Sequence, residues 1–223
     1  MAASCALFSG GLDSAVLLAL ERRTHAPVLP VHVRAGLAWE DAERRAIDRL
    51  LASPAYASGL LPLAALTVDM RDVYPPDHWA VTGQPPSYDT PDEDVYQDGR
   101  NIVLISKAAV LCARMGVSRL ALGPLAGNPF PDATPEFFQT IGRALSLGLG
   151  RTIDVVTPLA HLHKDGVVRL GVELGVPLDL TLSCMNPQGG RHCGACSKCR
   201  ERQDAFAAAG TADPTIYART WVR

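Results

Sequence analysis

Short apolar runs alternate along this chain with longer amphipathic ones. Cys5-Ala6-Leu7-Phe8 has the length and continuity of a buried strand, and Ala15-Val16-Leu17-Leu18-Ala19-Leu20 follows as a helix apolar on most of its faces. Val28 to Val33 predicts a second strand, in which Pro30 is awkward for a central position. Trp39 to Leu51 predicts a helix with Glu40, Asp41, Glu43, Arg44, Arg45, Asp48 and Arg49 as its solvated face. Leu61 to Val68 predicts a third strand. The stretch from Tyr74 to Asp98 is irregular and rich in Pro, Asp and Gly; at that length it suggests a mobile functional loop or a disordered segment. Gly99-Arg100-Asn101 opens a helix over Ile102 to Met115 that Gly116 ends. Arg119 to Gly123 is the fourth strand, Pro124 to Pro135 a proline-rich loop, and Glu136 and Phe137 start the next helix. Ile153 to Thr157 predicts the fifth strand, and Lys164 to Leu174 a helix ended by Gly175. Strands alternating with helices predict an α/β fold, a parallel five-stranded sheet with helices on both faces.

Composition narrows the class of partner. A chain of 223 residues, 48% hydrophobic, suffices for one α/β domain with a small appendage. A net charge of −2 leaves no electrostatic footprint for a stable nucleic-acid partner or an anionic membrane. There is no charged-then-apolar leader and no apolar run near the roughly 20 residues of a membrane helix, so a soluble cytoplasmic protein is expected.

Candidate chemistry sits at the two ends. Ser9-Gly10-Gly11-Leu12-Asp13-Ser14 lies on the first strand-to-helix turn. Adjacent glycines permit a sharp bend, a helix N-terminus offers unpaired N–H groups, and Ser9 and Ser14 add hydroxyls, which together make a phosphate cradle. No lysine follows the glycines and no Gly-x-Gly-x-x-Gly is present, which sets aside the two commonest nucleotide loops. The hexapeptide matches the pyrophosphate-loop motif of ATP pyrophosphatases, which cleave ATP between the α- and β-phosphates and transfer AMP to a substrate oxygen. Asp13 is better suited to holding Mg²⁺ or the turn than to touching phosphate. Near the other end, Cys184, Cys193, Cys196 and Cys199 include two overlapping Cys-x-x-Cys steps. Four thiolates close a tetrahedron with no open position, so a structural metal is expected, Zn²⁺ first and an iron–sulfur cluster next. Cys5 and Cys112 lie in apolar runs as inert core residues.

The ordered set of pyrophosphate loop, Gly99-Arg100-Asn101, Pro135-Glu136-Phe137 and a four-cysteine knot running into Arg200 and Ala205 to Gly210 resembles the 7-cyano-7-deazaguanine synthase family of queuosine precursor synthesis, over nearly the whole chain. That resemblance implies an adenine-nucleotide α-hydrolase-like fold, with residues 1–180 as the ATP pyrophosphatase domain and residues 181–223 as a zinc-binding segment packed on it. It implies an ATP-dependent carbon–nitrogen ligase acting on ATP, ammonia and 7-carboxy-7-deazaguanine. ATP, Mg²⁺ and Zn²⁺ are the implied cofactors, and a homodimer is left open. Ser9, Gly10, Gly11, Leu12, Asp13 and Ser14 would hold the nucleotide. Asp13, Lys164 and Arg100 would serve catalysis, Lys164 by reaching the phosphates from a helix start where its charge opposes the dipole. Arg100, Asn101, Asn128 and Asp132 would bind the substrate, with Asp132 accepting N–H bonds from a guanine-like edge. The plain alternatives are that Asn101 caps its own helix and Asp132 the next one. His161 and His163 fit ordinary surface histidines better than bases. Ala133 and Thr134 stand where the family carries Cys-Arg, and Arg34, Ala35 and Gly36 where it carries Tyr-Gly-Gln, so a sibling ligase acting on another carboxylate, or one that stops at the amide, stays open. A tRNA-modifying thiolase would want a basic surface. A non-catalytic zinc knuckle would use the basic local face of Arg191, His192, Lys198, Arg200 and Arg202.

Overall fold

A computed structural model describes residues 2–219. Its five strands all pair in parallel in the order β3-β2-β1-β4-β5: β1 (Ser4–Leu7), β2 (Val28–Arg34), β3 (Ala64–Thr67), β4 (Arg119–Ala121) and β5 (Asp154–Val156). The chain winds outward from β1 through β2 to β3, then returns to the other side of β1 for β4 and β5. This reversal leaves a crevice at the C-terminal ends of β1 and β4, the place where open parallel sheets bind ligands.

Two apolar layers enclose the sheet. On one side α1 (Leu12–His25), α2 (Glu40–Ala52), α6 (Lys164–Glu173) and α7 (Ser197–Ala209) join β1 through Leu17, Leu18, Ile47, Leu50, Val167, Val168 and Phe206. On the other, α4 (Arg100–Met115) and α5 (Pro135–Leu149) pack Ile105, Ala109, Cys112 and Phe138 against Cys5, Val31 and Leu120. With both faces covered, the inner strands carry near-continuous apolar runs, and Cys5 and Cys112 are indeed buried core.

Pro30 lies in an inner strand after all. Val28 bridges Leu60, whereas the β2–β3 ladder starts with Val31 opposite Ala64, so the β3 side carries one extra residue beside the proline. That bulge spares Pro30 a ladder bond it has no N–H to make, and it shortens β3 from the predicted Leu61–Val68 to Ala64–Thr67.

Residues 74–98 form a packed strap. It contains the short helix α3 (Trp79–Thr82) and a 3-10 turn at Asp92–Val95. Trp79 stacks on Trp39 at 5.6 Å, Tyr74 stacks on His78 at 4.8 Å, and the Tyr74 hydroxyl donates to the Asp98 carbonyl. A third apolar cluster holds this strap against the four cysteines through Tyr74, Ala80, Val95 and Met185.

The solvated face expected on α2 is only partly solvated. Glu40 and Glu43 are buried at the start of α2, where its N-cap Trp39 stacks on Trp79 of the strap and donates to Glu43. The Glu40 carboxylate accepts from the backbone N–H groups of Ala35 and Gly36 and fixes the turn after β2.

Candidate nucleotide and metal sites

The turn after β1 has the geometry its glycines suggested. Gly10 adopts φ +74, and a side chain there would press on Ile47 and Ala46 of α2. Gly11 is the N-cap of α1 and supplies no side-chain cap, so the first turn of that helix faces outward uncapped. Ser9 and Ser14 close the loop on itself: the Ser9 N–H donates to Ser14 Oγ at 3.2 Å, and Ser14 Oγ donates to the Gly11 carbonyl at 3.0 Å.

Lys164 reaches this turn from the far end of the sequence. Its ammonium donates to Asp13 Oδ2 at 2.6 Å and pairs with Glu201 of α7 at 3.3 Å. Burial alone would lower the Lys164 pKa, but the charges of Asp13 and Glu201 outweigh it and raise the group above its ordinary value. Burial likewise opposes ionisation of Glu201, yet Lys164 and Lys198 bring it down to about 2. The charge that opposes the α6 dipole is thus held in place by two carboxylates.

These residues border one cavity of about 920 Å³, open over the ends of β1, β2 and β4. Ser9, Gly11, Leu12, Asp13, Ser14, Arg100, Asn101, Asn128, Asp132 and Lys164 all line it; Gly10 shapes the turn from behind. His163 reaches the lining, and His161 does not.

Asn101 and Asp132 face each other in a clasp. The Asn101 backbone N–H donates to Asp132 Oδ2 at 3.0 Å, and its amide donates to the Asp132 carbonyl at 3.0 Å and to Oδ1 at 3.3 Å. Asp132 therefore caps the first turn of α4, the role the sequence suggested for Asn101, while Thr134 rather than Asp132 caps α5 by accepting from the Phe137 N–H. Gly99, at φ +72, turns the chain into α4, and Asn128 Oδ1 accepts from the Phe130 N–H.

Glu43, Trp39, His32 and Gln97 also line the cavity, and sequence reasoning passed over all four. The Trp39 indole N–H donates to Glu43 Oε1 at 3.1 Å. Burial pushes the Glu43 carboxyl up to about 7, against the opposing pull of Arg100. The signal in the sequence is its spacing: Glu40 and Glu43 fall one helical turn apart on the side of α2 shared with Ile47.

The four cysteines converge as their spacing required. All four Sγ atoms lie within 4.8 Å of one another, with Cys196 and Cys199 at 3.5 Å and Cys193 and Cys199 at 3.8 Å. A single tetrahedral ion with bonds of about 2.3 Å separates its sulfurs by about 3.8 Å, so the set fits one ion. Backbone N–H groups of Asn186 and Cys193 point at Cys184 Sγ, and that of Ala195 at Cys193 Sγ, which stabilises thiolate charge. The basic face expected around this knot is largely absent. Arg202 is fully buried, donating to Thr181, Ser183, Thr215 and the Leu178 carbonyl. His192 is buried and accepts from the Ser183 N–H, and Arg200 is spent on the carbonyls of Tyr88 and Thr90.

The family described as "Queuosine biosynthesis protein QueC" matches residues 3–210. The chain belongs to the QueC family. Relatives named 7-cyano-7-deazaguanine synthase include those of Methanothrix thermoacetophila (35% identical, covering 97% of this chain and 99% of the relative) and Anaeromyxobacter sp. (34% identical, 95% and 94%). The chain also shares its fold with two solved RNA-linked enzymes. One is a 4-thiouridine synthetase in complex with RNA and bound ATP (TM-score 0.51, 17% identity, 94% of this chain and 52% of the other). The other is the U34-tRNA thiolase NcsA of Methanococcus maripaludis with its [4Fe-4S] cluster (TM-score 0.50, 12% identity, 92% and 67%). Among the described residues no helix is long and apolar enough to cross a membrane.

Proposed function

We propose that this protein is an ATP-dependent carbon–nitrogen ligase that converts 7-carboxy-7-deazaguanine and ammonia to 7-cyano-7-deazaguanine. The observation that carries this reading is the convergence of the Ser9–Ser14 turn, Lys164 and Arg100 on one cavity at the switch point of the sheet, in a chain whose near-full-length relatives bear the synthase name. In this account the uncapped first turn of α1 and the Ser9 and Ser14 hydroxyls hold the polyphosphate, and Lys164 meets its leaving end. Arg100 presents a buried Nε without a partner, which suits an anionic substrate group. The carboxylate oxygen attacks the α-phosphorus and releases pyrophosphate, and ammonia displaces AMP to give the amide. The amide oxygen then takes AMP from a second ATP and leaves with it as the nitrogen loses two protons to give the nitrile.

The residues also fit the implied metals. Asp13 Oδ1 is buried and has no partner, as a Mg²⁺ ligand would be before its ion is bound. Mg²⁺ would neutralise charge on the departing pyrophosphate. Cys184, Cys193, Cys196 and Cys199 suit Zn²⁺ in a closed structural site, and their short sulfur–sulfur spacing favours one ion over a multi-iron cluster. Asp13→Ala should fold normally and lose pyrophosphate release from ATP by at least about 100-fold, the scale of losing one electrostatic contact in phosphoryl transfer. Unchanged release in the folded variant would remove the nucleotide role of this turn.

A further inference from the structure

Five buried side-chain polar atoms among the described residues have no hydrogen-bond partner, and four of them, Asp13 Oδ1, His32 Nε2, Gln97 Oε1 and Arg100 Nε, belong to residues lining the cavity at the C-terminal edge of the sheet. Such atoms are costly to bury unless a ligand satisfies them. Asp13 and Arg100 suit the nucleotide and an anionic group, which leaves open what holds the rest of the substrate. The Asp132 carboxylate has both oxygens engaged by Asn101. Glu43 has more capacity to spare than Asp132: its one hydrogen bond among the described residues comes from the Trp39 indole and occupies one of about four acceptor sites, against two for the Asp132 carboxylate. Among the described residues no direct ion pair joins Glu43 to Arg100, although both border the cavity and Arg100 acts on Glu43 through its charge.

We infer that Glu43 is the specificity-determining residue of the substrate subsite, its carboxylate accepting the two adjacent N–H donors of a 2-amino-4-oxo heterocycle. This rests on the deazaguanine reading above. A ring N–H and an exocyclic amino group lie side by side in such a heterocycle, and two carboxylate oxygens match them as a bidentate pair. The stacked pair of Trp39 and Trp79 stiffens the wall beside the carboxylate, so the acceptor is held before substrate arrives. Keeping a carboxylate here is unfavourable in the empty protein, as its elevated pKa shows, and two charge-assisted bonds from a ligand would offset that cost.

The test compares calorimetric binding of 7-carboxy-7-deazaguanine with that of its analogue lacking the 2-amino group. The wild-type protein should prefer the amino compound by roughly 10- to 100-fold, the range of a hydrogen bond to a charged group. Glu43→Gln should reduce the preference below about 3-fold while leaving affinity for a non-hydrolysable ATP analogue unchanged. Glu43→Asp, which keeps the charge but withdraws it by one methylene, should fall between the two and serves where the glutamine variant fails to fold by circular dichroism. A wild-type protein that binds both compounds equally, or a variant that keeps the full preference, overturns the inference. A Glu43→Gln variant that binds both compounds normally but turns over slowly overturns it too, in favour of a proton-transfer role. Binding of neither compound by the wild-type protein would instead sink the deazaguanine reading on which it rests.

Discussion

Glu43 is where local sequence pattern and tertiary context part most clearly. Seven charged residues from Glu40 to Arg49 read as a solvated helix face, yet two of them are buried at the end of α2 where the N-cap Trp39 stacks on Trp79 of the strap, a contact no helical periodicity encodes. Burial carries a testable cost. The Glu43 pKa rises from 4.5 to about 7, so the folded state binds more protons than the unfolded one between those values, and stability falls as pH increases through that window. The full shift corresponds to roughly 3 kcal/mol, with Glu40 adding to it and Arg100 and Arg34 opposing it. Glu43→Gln should therefore raise the melting temperature of the ligand-free protein at pH 8 and leave it nearly unchanged at pH 4.5. A variant that melts lower than wild type at pH 8 would show that the carboxylate is stabilised by contacts other than those described. The geometry of the turn after β1 was legible because its residues act locally: Gly10 needs its positive φ and Ser9 meets Ser14 five positions on. Asp132 was harder, since its partner Asn101 comes from another element.

At the scale of elements, α7 links the four-cysteine knot to the turn after β1. It starts directly after Cys196, carries Cys199 in its first turn, and then places Arg200 on the strap, Glu201 on Lys164 and Arg202 under the loop at Thr181–Ser183. The Leu182 N–H in that loop donates to the Gly10 carbonyl at 2.8 Å. Metal ligation is a large part of the folding energy of cysteine sites of this kind. Chelation should therefore expose amides of residues 182–199 and of the strap to hydrogen exchange before those of β1 and β2, and should weaken nucleotide binding with them. Simultaneous loss of protection in the knot and the central strands would mean that the metal holds the whole fold. The cysteine spacing announced the knot, because all four ligands come from one short segment. Nothing in the spacing announced that Arg200 would anchor the strap more than a hundred residues upstream.

For the whole molecule, the two ends of the sheet divide the labour. At the C-terminal edge lies the cavity. At the opposite edge Glu21 of α1 is buried, accepts from the Ser4 hydroxyl at 2.7 Å, and forms a two-pronged pair with Arg119 of β4. Removing one partner of such a pair leaves a charge without compensation, so Glu21→Ala should cost about 3 kcal/mol, read as a lower denaturation midpoint, with unchanged steady-state constants for ATP at a temperature where the variant is folded. A change in those constants would mean the two edges are coupled. The parallel direction of the sheet and its cover of helices followed from the alternation of apolar runs with amphipathic helices, which is a property of each segment; the order β3-β2-β1-β4-β5 did not. The bulge opposite Pro30 and the packed strap depend on neighbours in space and had to be seen. The central claim is that a substrate carboxylate attacks the α-phosphorus within the cavity. It is tested most directly by supplying 7-carboxy-7-deazaguanine labelled with ¹⁸O in its carboxylate, together with ATP and ammonium, and reading the nucleotide products by mass spectrometry. The account predicts AMP carrying the label, with unlabelled pyrophosphate and the nitrile as the other products. Labelled inorganic phosphate with ADP, or AMP free of label, would contradict it.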